Sequence, residues 1–267
     1  PGQRLDARGA TIGGRPVAQA GAVNIYEASA NSRYDSLQVQ VRGRFPRAAQ
    51  YQLTYTLSKA TDDVSDVFDL AGAAALPQNS LTFAGERGPA NFDARHRLSY
   101  NLIYDVPGSK SRSRAVRLLA DGLQIASTGR FQTGQPFTVN SIHDVNLDGN
   151  LTDRLDSLDG LTVTGNRQQP LIQTSNQRSQ LATIRQDGRI GRNTFRAGNR
   201  LDLDLSLAKD FAFAAQRKLT LRVDIFNFIN RANFGIPVRY LGAAGFGQAT
   251  DTITPGRRVQ VGLKYSF

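Results

Sequence analysis

The stretch 144–153, DVNLDGNLTD, sets oxygen-bearing side chains at alternate positions: Asp144, Asn146, Asp148, Asn150 and Thr152, with Gly149 after the third. Carboxylate and amide oxygens at that spacing can converge on one hard cation, and glycine at the sixth position permits the sharp turn that brings them round. The ion expected for such an order is calcium, held at the weak millimolar-to-submillimolar end of extracellular sites. The pattern is incomplete. Its twelfth position is Leu155 where a bidentate glutamate belongs, so Asp153 or Asp156 would have to substitute, and no flanking helices are expected. A polar loop rich in Asx turns is the plainer alternative.

Other spacings point to less. Ser206 and Lys209 form an S-x-x-K pair, with Thr56 and Lys59 a near relative, but both lack the companion motifs and the helix that acyl-enzyme chemistry needs. No catalytic residue is expected and the chain reads as a non-enzyme. The run GAAGFG at 242–247 has no strand–turn–helix context for a phosphate cradle and reads as a loop. The two histidines, His96 and His143, would need a further ligand placed by the fold to hold zinc. With no cysteine in the chain, disulfides and thiolate sites are excluded, which suits an outer-membrane location. Beyond calcium, no cofactor is expected.

The elements that must carry these residues alternate with a two-residue period. Seven segments show it strongly: 35–45, 50–59, 95–105, 122–133, 200–211, 217–229 and 257–267. In the last, Val259, Val261, Leu263, Tyr265 and Phe267 oppose Arg258, Gln260, Gly262, Lys264 and Ser266. A weaker stretch around Val17 to Tyr26 would make eight. These runs are longer than the ~5–6 residues of an average soluble strand and suit a tilted bilayer crossing. Their polar sides carry Arg, Gln, Asp and Asn, as a water-filled lumen requires. Arg42, Arg130 and Arg222 are therefore expected to face the lumen, and Leu53, Leu102 and Val223 to face lipid.

The connections alternate in length, with short links at 46–49 and 212–216, an intermediate one at 106–121, and long ones at 60–94, 134–199 and 230–256. Outer-membrane barrels pair short periplasmic turns with long extracellular loops, so all three long links fall on the outer side. Tyr104, Phe131, Phe137, Phe211 and Phe267 lie near strand ends, where interfacial aromatic girdles are expected. The expected fold is therefore all-β: an antiparallel transmembrane barrel segment of about seven or eight meandering strands, part of a larger barrel. A soluble β-sandwich module would need its apolar rows covered by a second sheet.

Composition agrees with a folded chain: 267 residues, 40% hydrophobic, with 25 Gly and 10 Pro. No apolar run approaches the ~20 residues of a membrane helix. The net charge of +11 comes from arginines scattered through nearly every segment, with one cluster at Lys110, Arg112, Arg114 and Arg117. No single basic face of the kind that binds nucleic acid emerges. The chain has no Met and shows no leader, so it reads as a piece of something longer.

Several stretches resemble a known family: NIYEASANSRYDSLQVQVRGRF, YQLTYTLSKATDD, ERGPANFDARHRLSYNLIYDVP, FQTGQPFTV, GRNTFRAGNRLDLDLSLAKDF, LRVDIFNFINRANFG and the closing VGLKYSF. Together they are similar to the C-terminal barrel of Oar-like TonB-dependent outer-membrane receptors, which carry a carboxypeptidase-regulatory-like domain. The resemblance covers nearly the whole chain from about Arg15. It implies a parent barrel of about 22 strands with an internal plug, energised through TonB by contacts outside this sequence. Residues 1–32 then read as the end of a preceding strand and loop, and 33–267 as the C-terminal part of the barrel. The implied function is energised uptake of a large solute captured by the extracellular loops; the alternative is a passive structural or adhesive barrel. Implied partners are outer-membrane lipid, TonB, the solute, and the barrel-assembly machinery, for which Tyr265 and Phe267 would be the recognition signal.

Overall fold

Branched and aromatic residues at alternate positions favour extended backbone, and the computed structural model turns all seven strong segments into strands. It describes residues 28–45, 49–66, 76–79, 82–108, 113–214 and 217–267; the weak stretch around Val17 to Tyr26 and nearly all of 1–32 lie outside them. The long strands are β1 (Ser32–Phe45), β2 (Ala49–Asp62), β3 (His96–Asp105), β4 (Leu123–Gln132), β5 (Arg200–Ala214), β6 (Arg217–Phe226) and β7 (Arg258–Ser266). They pair antiparallel in chain order, and among the described residues the outer edges of β1 and β7 have no strand beside them. The link between β3 and β4 contains a short helix, α1 (Arg114–Ala120).

Direct cross-strand partners share a face, so the register assigns every side chain to one side of the sheet. One row runs Tyr51, Leu102, Ser127, Leu205, Ile225, Val259 across six strands. Leu53 and Val223 lie on the same face, through Leu53 to Tyr100 and Val223 to Leu207. The other face carries Arg42 beside Gln52, Arg130 between Ser99 and Asp202, and Arg222 between Ala208 and Gly262. Ile103 lies out of phase on this polar face opposite Gln50 and Ala126, and so does Phe226 opposite Arg258.

No second sheet of comparable size exists among the described residues, where the remaining sheets are pairs of two- and three-residue strands. The apolar row therefore stays uncovered, with Val261 and Leu263 exposed by 65% and 69%. In water such a continuous apolar surface would drive association; in a bilayer it meets lipid.

Neighbouring positions on β7 offer a test in the assembled outer-membrane protein. Val261→Arg puts a charge on the apolar face and should cost about 2–4 kcal/mol near the bilayer midplane. Gly262→Arg projects from the polar face, where nothing lies within 4 Å of an added Cβ. Urea titration of the folded, heat-modifiable form should show loss for the first and little change for the second; the reverse order would mean that the faces are inverted.

The buried core lies outside the sheet. Phe137, Val139, Leu155, Leu171, Phe195 and Leu241 form it, with Phe246, Ile190 and Ile236 packed against them. These residues come from 134–199 and 230–256, so two of the long links fold together into a compact head. The 60–94 link is pinned to the same head by polar contacts described below. Phe137, expected at an interfacial girdle, is fully buried in this core, because the chain turns away from the sheet after Gln132 and pairs Phe137 with Phe195. The expected strand 217–229 stops at Phe226, since Asn227 takes a left-handed φ of 51° and starts a turn.

Candidate functional site: the loop head and the polar face

Three arginines of the longest loop clamp the head to the 60–94 link and the end of β2. Arg154 Nη1 lies 3.0 Å from both carboxylate oxygens of Glu86, and both side chains are almost fully buried. Arg192 pairs with Asp62, and Arg196 with Asp93. Asn193 joins the longest loop to the 60–94 link, donating to Pro89 O and Asn91 Oδ1 while its main-chain N–H donates to Thr138 Oγ1. The 230–256 link is tied in where Arg239 Nη1 donates to Asn140 Oδ1, and where Asn233 bridges Leu201, Asp202 and Thr254. Sequence reading missed this whole assembly. Its signal was present only as apolar residues at irregular spacing inside polar stretches, which fits no helix or strand period.

The run at 242–247 is part of the head: Gly247 takes φ 76°, and a Cβ there would lie 2.0 Å from Leu171 O. It is a tight turn against the core. Ser206 and Lys209 lie on opposite faces of β5, as an odd spacing in a strand requires, and so do Thr56 and Lys59 on β2. His96 bonds Tyr55 through Nδ1 at 2.8 Å, while the main-chain N–H of His143 donates to Ser141 Oγ. Of the cluster at 110–117, Lys110 and Arg112 lie outside the described residues. Tyr265 and Phe267 stack with centroids 5.9 Å apart at the chain end, on the exposed edge strand.

In the loop 144–153, side-chain oxygens hold main-chain N–H groups. Asp144 Oδ2 accepts from Gly149, Asn146 Oδ1 from Asp148, and Asp148 Oδ1 from Asn150. Thr152 points elsewhere, donating to Pro77 O. Leu155, at the twelfth position, is a fully buried core residue. Among the described residues no three acidic or histidine side chains gather at metal-binding distance. Asp153 is buried; its Oδ2 accepts from Val145 N–H at 2.7 Å and its Oδ1 has no partner. Burial pushes its carboxyl up to about 6, helped by the charges of Asp144 and Asp148 and opposed by main-chain N–H groups of Val145 and Asn146.

This shift has a definite sign. A carboxyl raised above its ordinary value of 3.8 stabilises the fold when protonated, so its contribution is full below about pH 4 and lost as pH rises past 6. A rise of this size corresponds to about 3 kcal/mol. In metal-free buffer, hydrogen exchange in 144–155 should therefore accelerate between pH 4 and 7 beyond the intrinsic rate change. Asp153→Asn, which keeps an acceptor for Val145, should flatten that dependence; an unchanged slope in the variant would assign it to another group.

On the polar face, where the head meets the sheet, a cavity of about 510 Å³ is lined by Gln52, Asn101, Arg130, Arg200, Asp204 and Arg258 among others. Arg130 thus opens into a polar chamber beneath residues 254–258. Arg42 lies on the same face near the opposite edge of the sheet, and Arg222 pairs with Asp224.

A meander of long antiparallel strands, apolar and bare on one face, polar and chambered on the other, capped by a folded head, defines a membrane-spanning barrel wall. The model of the family "Outer membrane beta barrel domain" matches residues 1–260, and the chain belongs to that family. It is a protein of the bacterial outer membrane. No curated protein matches the chain.

Proposed function

We propose that this barrel wall serves a TonB-dependent receptor of the Oar-like kind, taking up a large solute. The observation that supports the reading is the fusion of three long loops into one head directly above a polar chamber. Such a head presents a fixed surface for capture, and the chamber, with Arg130 in its wall, lies on the face assigned to the lumen, which also carries Arg42 and Arg222. The resemblance of seven stretches in family order supports the same reading. In it the partners are outer-membrane lipid, the solute, TonB, and an assembly machinery that reads Tyr265 and Phe267.

The experiment uses the full-length protein, purified in detergent. Binding to the periplasmic domain of TonB from the same cells, together with absence of steady conductance in planar bilayers, is the expected result. An open channel that does not bind TonB would overturn the proposal and leave the passive barrel.

Calcium in the 144–153 loop is proposed on the same footing, from the order of its oxygen donors. Asp144, Asn146 and Asp148 would supply side-chain oxygens, with Asn150 contributing its carbonyl. Calorimetry should give a calcium heat with the wild type that Asp148→Ala removes; no heat, or heat unchanged by the substitution, eliminates the site.

A further inference from the structure

Arg167 and Arg231, distant in sequence, line one solvent-open cavity of about 610 Å³ in the head, together with Asn166, Gln168, Asn230 and Phe234. Each guanidinium is steadied by a single main-chain carbonyl. Arg167 Nη1 donates to Ala232 O at 3.0 Å, and Arg231 Nη2 to Asn199 O at 3.2 Å. The turn that carries Arg231 is itself fixed: Asn227 Oδ1 accepts from Arg231 N–H, and Asn227 Nδ2 donates to Arg231 O. Asn230 is held in turn by Arg257 N–H on its Oδ1. Neither guanidinium is therefore a loose surface arm.

What the pair lacks is a counter-charge. Among the described residues every ion pair engages other arginines and lysines. Arg231 Nε, moreover, is buried without a hydrogen-bond partner. Burial, and then the charge of Arg167, press the Arg231 guanidinium below the ordinary arginine range. Two like charges lining one open cavity without a counter-charge form a site arranged for an anion. A guanidinium offers a planar fork of donors, so two of them match the oxygens and the double charge of one phosphate group.

We propose that Arg167 and Arg231 bind a phosphate group, carried by a small solute or by a lipid headgroup. The amides of Asn166, Gln168 and Asn230 would meet polar substituents of the molecule that bears it, and Phe234 an apolar part. The inference holds whether the barrel transports or not, because it rests on the head alone.

Phenylglyoxal modification read by peptide mass spectrometry tests it on the full-length protein. In detergent micelles inorganic phosphate should slow modification of both Arg167 and Arg231 and leave exposed Arg178 unaffected at matched ionic strength. Calorimetry with inorganic phosphate should show binding at least about tenfold weaker in Arg167→Gln and in Arg231→Gln. In nanodiscs, protection by phosphorylated but not dephosphorylated lipid A would identify a headgroup site; protection by free phosphate with none from phosphorylated lipid A identifies a solute site. Either supports the proposal. Equal modification of all three arginines in every arm, together with no phosphate heat in the wild type, overturns it.

Discussion

Replacing Glu86 with alanine in the full-length protein is expected to unfold the head while leaving the barrel inserted. Arg154 and Glu86 form the most deeply buried ion pair of the chain's described residues, with side chains 6% and 5% exposed. Removing one member of such a pair strands the other charge away from water and typically costs about 3–5 kcal/mol. Further bonds are lost with it, since Glu86 Oε1 also accepts from Gln78 N–H, and Gln78 in turn holds Arg154 N–H and Gly188 O. Surface proteolysis of whole cells should cut the head, while the heat-modifiable band of the folded barrel persists. The double substitution Glu86→Leu with Arg154→Met should regain much of the loss, because the cost comes from an uncompensated charge. An intact head in Glu86→Ala would show that water reaches Arg154 and that the clamp is dispensable.

Phe137→Ala is the second large effect. The Phe137 ring is fully buried and lies 5.9 Å from that of Phe195, tilted by 31°. Truncating a buried phenylalanine costs about 3–5 kcal/mol through lost burial and the cavity left behind. Leu263→Ala provides the contrast: its side chain is 69% exposed on the edge strand and touches no core of the head. Protease sensitivity of the head should rise sharply in the first variant and stay at the wild-type level in the second. If both behave alike, the head core is not an independent packing unit.

The strands were legible because their information is local. Each long strand has one face of one polarity, so alternation in ten or so residues fixes both its existence and its sides, and expected and observed bounds agree closely for β3, β4 and β7. Even the face of each arginine row followed from parity. The head was illegible because its information is distributed. Phe137, Leu155, Leu171 and Leu241 are core residues only because the sheet brings three loops to one end, and nothing in their own neighbourhoods announces it. Phe137 was misplaced for this reason: proximity to a strand end reads as an interface when the loop beyond is taken as solvated. Leu155, the twelfth position of the 144–153 pattern, likewise serves the core.

The clamps of the head join residues 130, 106 and 99 positions apart, in Arg192 with Asp62, Arg192 with Glu86, and Arg239 with Asn140. Contacts of such range carry a large loop-closure entropy until the intervening strands have paired, so they form slowly and late. No single loop holds a complete core, because Leu241 comes from one loop and Phe137, Leu155 and Leu171 from another. The head closes only once β2 to β7 have zipped and set the three loop bases side by side, which makes its folding a report that the wall beneath it is complete.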